Sequence, residues 1–263
     1  DFRYLRPIWK KNTEEECLLG VSLTGIMDHD TLNTPSPLLA KWLKELKEVA
    51  VETNLEWSKR LGVNQSVAIT CVKPSGTVSQ LVNSASGIHP RFSPFYMRTV
   101  RADSKDPLSE YMVSAGFPYE VDVTKDTTNV FSFPIKSPPG AICADEVSAL
   151  DQLELWKFYG ANWAEHKVSI TVYYSPDEFL GVCQWLWSNF AILSGVALLP
   201  RSEHSYQQAP YQKVTEAEYI AAAKLMPKFN WAEAAKFESE DQTTGSQELA
   251  CVGNSCEFNG GAL

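Results

Sequence analysis

The spacing of hydrophobic positions changes character several times along this chain. It is clearest in NTPSPLLAKWLKELKEVAVETNLEWSKRLGV, where Leu39, Leu43, Leu46, Val49 or Ala50 and Trp57 keep helical intervals. Thr34, Pro35, Ser36 and Pro37 supply start signals for that helix and Gly62 a stop. A second amphipathic helix is predicted over Ala144–His166, with Leu150, Leu153, Trp156 or Lys157, and Gly160 or Ala161 in register. A Ser175-Pro176-Asp177-Glu178 cap opens another in SPDEFLGVCQWLWSNF. TEAEYIAAAKLMP reads as a capped helix, and NWAEAAKFESED as one more turn or two.

β-branched runs predict strands at Ser66–Val72 and Lys167–Tyr174, with a further short one in GVALLP. Glu15–His29 has an apolar centre interrupted by Gly20 and Gly25, and fits a buried helix or a turn-broken strand equally. Between Arg91 and Pro139 proline and aromatic residues increase. FPYEVDV and VFSFPIKSPPG there read as short strands and loops on the surface of the same domain. Helix, strand, loop, helix is the rhythm of an α/β protein. The final QTTGSQELACVGNSCEFNGGAL is polar and contains glycine, with no period, and reads as a flexible tail. No internal repeat or low-complexity tract interrupts this order.

Composition narrows the function. The 263 residues, 44% hydrophobic and 21% charged, suit a soluble globular protein with a sizeable core. Lys and Arg number 23 against 32 Asp and Glu, a net charge of −9 without any basic block, which argues against a nucleic-acid partner. No apolar run approaches the roughly 20 residues of a membrane span and no signal-peptide pattern is present. A cytoplasmic protein with no membrane partner is expected. The sequence begins at Asp1 without a start-like feature, so it reads as a piece of something longer.

The stretch that carries chemistry is ITCVKPSGTVSQLVNSASGIHP, Ile69 to Pro90. A strand runs into Lys73 and Pro74, then into Ser75, Gly76, Thr77, Val78 and Ser79 at the start of a helical pattern. Unpaired N–H groups at a helix start attract anions, Gly76 permits close backbone approach, and the hydroxyls of Ser75, Thr77 and Ser79 are donors. The G-x-x-x-x-G-K-[ST] spacing of a Walker A loop is absent. The residues alone fit a phosphate cradle or an ordinary strand-to-helix turn with a serine cap.

Of the six cysteines, Cys17, Cys71, Cys143 and Cys183 stand alone and read as small hydrophobes. Cys251 and Cys256, separated by VGNS, lie close together. They fit two unrelated surface thiols or a redox pair; a zinc site would need two more ligands, and the nearest histidine, His204, lies far upstream. No metal site is therefore predicted. Glu248 and Glu257 flank the pair and disfavour thiolate, which suits a tethered shuttle better than a primary catalyst. Among the histidines, His166 reads as structural and His89, in its loop, as the candidate for acid/base work.

The segments CVKPSGTVSQLVNSASGIHPRFSPFYMRTVR, QLELWKFYGANWAEHKVSITV, YQQAPYQ and DQTTGSQELACVGNSC together resemble the C-terminal portion of monomeric class II, adenosylcobalamin-dependent ribonucleoside triphosphate reductases. The resemblance runs over nearly the whole chain. It implies the C-terminal part of a ten-stranded α/β barrel over residues 1–200, a helical segment over 201–244 and a redox-active tail over 245–263. It implies that Pro74, Ser75, Gly76, Thr77, Val78 and Ser79 hold the substrate's phosphates and that Ser86, Gly87, Ile88, His89 and Pro90 lie near the active-site mouth. Cys251 and Cys256 match the pair that re-reduces the active-site disulfide and is itself reduced by thioredoxin. Ribonucleoside triphosphate would be the substrate and adenosylcobalamin the cofactor, with binding residues that spacing does not place.

One departure limits the resemblance. The finger loop with a Cys-Gly-Glu core, which carries the radical cysteine in that family, is absent, and Cys17 lies beyond it. The N-terminal allosteric region is absent too. The chain is expected to be a reductase fragment, inactive alone, completed by a separate N-terminal half or truncated. Two alternatives remain open: a reductase of another class with a separate radical-generating subunit, and a non-catalytic nucleotide-binding module. The SGIHPR context and the tail favour the cobalamin class, and a pure binder has no need of a terminal dithiol.

Overall fold

The computed structural model describes residues 2–76, 78–201 and 206–238. Thr77, His204, Cys251, Cys256 and the whole of the 245–263 tail lie outside the described residues. In chain order the first elements are α1 (Pro7–Glu16), β1 (Val21–Ser22), α2 (Pro37–Leu61), β2 (Thr70–Cys71) and α3 (Val78–Leu81). Next come β3 (Phe95–Asp103), α4 (Pro107–Ser114), β4 (Tyr119–Val121) and β5 (Thr128–Lys136). The remainder are α5 (Ala149–Asn162), β6 (Thr171–Tyr174), α6 (Phe179–Ser188), β7 (Ala197–Pro200), β8 (Tyr211–Lys213), α7 (Glu216–Leu225) and α8 (Trp231–Ala234). These elements gather into two compact units.

The first unit takes the chain up to Arg91 and again from Pro139. Its strands are parallel: Val21 and Ser22 of β1 pair with Thr70 and Cys71 of β2, and Thr171–Tyr174 pair with Ala197–Pro200. A parallel bridge from Val72 to Val168 joins the two pairs, giving the order β1, β2, β6, β7. Parallel neighbours need long crossovers, which α2 and α6 supply within their pairs. The architecture is mixed α/β as expected, but among the described residues these strands do not close into a barrel.

Local chemistry sets the helix limits. Ser36 Oγ accepts the Leu39 N–H at 3.1 Å, Pro37 opens α2, and Gly62 ends it at φ 69°. Only the first turns of the predicted stripe are covered: Leu39 and Leu43 are buried, while Leu46 and Val49 are 50% and 59% exposed. Ser148 caps α5, so that helix starts five residues later than its pattern suggested, after a 3-10 turn at Ala144–Glu146. Leu153, Trp156 and Tyr159 of α5 share a core cluster with Val172 of β6 and with Val72, Val168 and Ile170 beside β2 and β6. Each such burial contributes about 1.5–3 kcal/mol. Trp156 and Trp163 also anchor the strands, their indole N–H groups donating to Val168 O and Cys71 O, both at 2.8 Å.

Glu15–His29 turns out to be neither one helix nor one strand. Gly25 adopts φ 73° and starts a 3-10 turn at Ile26–Asp28, so the apolar run bends where a single period would have continued.

The second unit takes Phe92–Pro138 with the described residues 206–238. The segment expected to decorate the surface instead forms its centre. β3 and β5, each nine residues long, pair antiparallel from Phe95↔Lys136 to Asp103↔Thr128. β4 and β8 complete the sheet order β4-β5-β3-β8. Thr128, Asn129, Val130 and Phe131 are buried in succession, so β5 lacks the alternation that marks a half-buried strand. Tyr111 of α4 meets Phe229 edge-on at 5.0 Å, and its hydroxyl accepts the Asn230 N–H at 3.0 Å. No described helix is long and apolar enough to cross a membrane.

Candidate functional site

In parallel sheets ligands collect beyond the carboxyl ends of the strands, where loops diverge. In the first unit the chain leaves β1 through Leu23 and Thr24, and leaves β2 through Lys73, Pro74, Ser75 and Gly76. The two exits are tied together. Ser22 Oγ accepts the Lys73 N–H at 3.0 Å, and Thr24 Oγ1 lies 2.8 Å from Ser75 Oγ.

A third segment, Asn83–Pro90, folds against both. Thr24 Oγ1 donates to Ala85 O at 2.8 Å and accepts the Gly87 N–H at 2.9 Å. Gly87 sits at φ 57°, and a Cβ there would come within 2.4 Å of the Lys73 carbonyl. Only glycine allows the two loops to touch in this way. Gly25 plays the same part opposite Ser84, whose Oγ would lie 2.3 Å from an added Cβ.

Beneath this junction lies a buried ion pair. Asp28 accepts from Arg91 Nε at 2.9 Å and Nη2 at 2.7 Å, and also from the Ala85 N–H at 2.7 Å. Arg91, 4% exposed, reaches Asn83 O at 2.6 Å as well. Thr24, Asp28 and Arg91 are the residues that motif reasoning missed. Asp28 gave no signal of its own, since it closes the apolar run at Ile26 and Met27 and is followed directly by His29 and Asp30.

The expected site residues fall into distinct environments. Lys73, Pro74 and Val78 are exposed, Ser75 is half-buried and Gly76 is buried. Ser79 is fully buried, its N–H and hydroxyl both directed to the Ser75 carbonyl, so it braces the turn from inside. Ile88 is buried in the core, and Ser86 Oγ is buried without a hydrogen-bond partner. His89 has both ring nitrogens engaged. Nδ1 donates to Ser86 O at 2.9 Å, and Nε2 accepts the Thr171 N–H at 3.0 Å. Burial lowers its pKa despite the Ser86 carbonyl, so it stands neutral, linking its loop to β6.

Glu165 secures the start of β2, accepting from the N–H groups of Ile69 at 2.8 Å and Thr70 at 3.3 Å. Burial alone would raise its pKa. Those two donors and Lys47 outweigh it and lower it. Cys71 and Cys143 are buried and outside any disulfide, whereas Cys183 is exposed. Among the described residues no three His, Cys, Asp or Glu side chains are grouped to hold a metal.

The second unit has a polar cavity of about 390 Å³, lined by Thr99, Glu120, Ser132, Gln207, Gln208 and Gln212 with neighbours. Gln208, at φ 59°, donates its amide to Glu120 Oε2 at 3.0 Å and Val121 O at 2.8 Å. Its carbonyl oxygen accepts the Val123 N–H at 3.0 Å. That pins the YQQAPYQ segment to the sheet.

No protein-family model matches the chain. Curated proteins do. The adenosylcobalamin-dependent ribonucleoside-triphosphate reductase of Euglena gracilis is 30% identical over 222 residues, which are 82% of this chain and 30% of that protein. The enzyme of the same name from Lactobacillus delbrueckii subsp. bulgaricus is 27% identical over 247 residues, 83% of this chain and 33% of its own length. A probable one from Dictyostelium discoideum is 30% identical over 205 residues, 76% of this chain and 27% of that protein. A crystal structure of a B12-dependent (class II) ribonucleotide reductase superposes with a TM-score of 0.75 at 24% identity. It covers 89% of this chain and 36% of that one, and so shares the fold. The chain spans about a third of the length of the curated relatives it matches.

Proposed function

We propose that this chain, homologous to about a third of an adenosylcobalamin-dependent ribonucleoside-triphosphate reductase, is the part of such an enzyme that holds the substrate's phosphates. The observation that carries this reading is the junction at the carboxyl ends of β1 and β2, where Thr24 ties the Ser75 loop to the Gly87 loop. Pro74, Ser75, Gly76, Thr77, Val78 and Ser79 make the phosphate loop. Backbone N–H groups and hydroxyls gathered at a loop-to-helix turn suit an anion. Ser86, Gly87, Ile88 and His89 border the sugar. With both nitrogens engaged, His89 fixes that border and moves no proton.

In the whole enzyme the four parallel strands belong to a ten-stranded barrel that further polypeptide completes, in the same chain or a separate one. That polypeptide supplies the radical cysteine, so the isolated chain does not turn over. Cys251 and Cys256 act as a thiol shuttle: they pass two electrons to the active-site disulfide, become a disulfide themselves, and are reduced by thioredoxin or a similar dithiol. The net reaction converts a ribonucleoside triphosphate and a dithiol into a 2′-deoxyribonucleoside triphosphate, a disulfide and water.

Adenosylcobalamin would supply the radical. It demands a broad surface with donors and acceptors for the amides around its ring. The amide-lined cavity of the second unit has that chemistry, but at about 390 Å³ it takes no more than an edge of a molecule several times larger. The described residues therefore do not form the cofactor's site by themselves, and no step is derived through it.

Calorimetric titration with a ribonucleoside triphosphate and with the matching nucleoside tests the phosphate assignment. Binding that needs the phosphates is expected. Equal binding of the nucleoside, or none of the triphosphate to the folded chain, would overturn it.

A further inference from the structure

Thr24 decides where Ser75 can direct its proton. A hydroxyl has one proton and two lone pairs. Around Thr24 Oγ1 lie Ala85 O at 2.8 Å, Gly87 N at 2.9 Å and Ser75 Oγ at 2.8 Å. A carbonyl only accepts and a backbone N–H only donates. With the Thr24 proton on Ala85, one lone pair takes the Gly87 N–H and the other takes the Ser75 proton. In that state Ser75 offers an approaching anion nothing but lone pairs.

The same heavy atoms support a second state. Ala85 O also receives the Gly25 N–H at 2.8 Å, so it stays paired if the Thr24 proton turns away. Thr24 can then donate to Ser75 Oγ while still accepting from Gly87. The Ser75 proton is released toward the loop mouth.

We infer that Thr24 is a positioning residue for the phosphate loop. An arriving phosphate reverses the hydroxyl chain from Ser75→Thr24→Ala85 to Thr24→Ser75→phosphate. Two hydroxyl protons rotate and no covalent bond changes. A hydrogen-bonded chain that ends on an anion is polarised along its length, so Thr24 makes Ser75 a better donor at the moment one is needed. The inference rests on the reading of this loop as a phosphate site and names the device that prepares it.

The test uses the whole chain and inorganic tripolyphosphate, followed by calorimetry. Ser75→Ala is expected to weaken binding about tenfold or more, because a hydrogen bond to a charged group is lost. Thr24→Val should weaken it about threefold, and Thr24→Ser should restore it. Thr24→Val added to Ser75→Ala should cost nothing further. An equal loss in both backgrounds would mean that Thr24 acts on structure generally, and would overturn the proposal.

A second measurement needs no Thr24 variant. Ala85-Ser86 is the one Ala-Ser step in the sequence, so 13C-carbonyl alanine with 15N-serine yields a single correlation that reports the Ala85 carbonyl. Tripolyphosphate should move that carbon upfield, as it loses the Thr24 donor, and should leave it in place in Ser75→Ala. A carbon unmoved in the saturated wild-type chain overturns the reversal alone. Failure of the folded wild-type chain to bind tripolyphosphate removes the phosphate reading, and this inference with it.

Discussion

Asp28 and Arg91 form a two-pronged ion pair, 2.7 and 2.9 Å, with the arginine 4% exposed and the aspartate also holding the Ala85 N–H. The pair fixes the floor on which the Thr24, Ser75 and Gly87 contacts rest. Truncating one partner leaves the other's charge without its counter-charge. Arg91→Met or Asp28→Ala should therefore cost about 3–5 kcal/mol in urea unfolding. The double variant should recover part of that loss. A double variant as unstable as the sum of the singles would contradict the account of the pair.

Gly87→Ala places a methyl group within 2.4 Å of the Lys73 carbonyl, at a backbone angle that L residues rarely adopt. The strain should cost about 1–3 kcal/mol and push the two loops apart. Triphosphate affinity should fall with it, measured by the same calorimetry. Full affinity in a folded Gly87→Ala chain would separate the Gly87 contact from the site.

His89 gives the chain a pH signature. Its pKa in the fold lies below its ordinary 6.5, because burial disfavours the cation. As pH drops below about 6.5 the unfolded chain takes up a proton that the folded chain refuses, so stability falls. Above that pH the contribution is fully present. Glu165 and Glu178, whose pKa values are lowered against burial by backbone donors, add a separate loss below the ordinary carboxylate range near 4.5. His89→Asn should flatten the upper limb and leave the lower one. Unfolding midpoints measured from about pH 2 to 8 check both.

Leu46 and Val49 continue the apolar stripe of α2 yet are 50% and 59% exposed. Replacing both with lysine should change the chain's stability by no more than about 0.5 kcal/mol per site and raise its solubility. A large loss of stability would show that these positions are covered in solution.

How much of this was legible depended on distance along the chain. The ends of α2 were readable because Ser36, Pro37 and Gly62 act within a turn of where they stand. The same holds for Thr215 and Glu218, which form the capping box of α7. The β3–β5 ladder was not readable. Its strands meet across the chain, Pro134 and the arginines Arg98 and Arg101 interrupt any alternation, and four consecutive β5 residues are buried. The loop proposed to hold phosphate stood out as a motif, but the contacts that support it did not. Thr24 meets Ser75 51 residues later, and Asp28 meets Arg91 63 residues later, so no local pattern records either contact.

The central claim, that this chain is a working part of a cobalamin-dependent reductase, is tested most directly by ribonucleotide reduction. The chain would be mixed with the remaining polypeptide of a curated relative, adenosylcobalamin, and either thioredoxin or a small dithiol. The account predicts deoxyribonucleoside triphosphate with both reductants, and only with the small dithiol once Cys251 and Cys256 are changed to serine. A folded mixture that binds triphosphate but forms no deoxyribonucleotide with either reductant would contradict it.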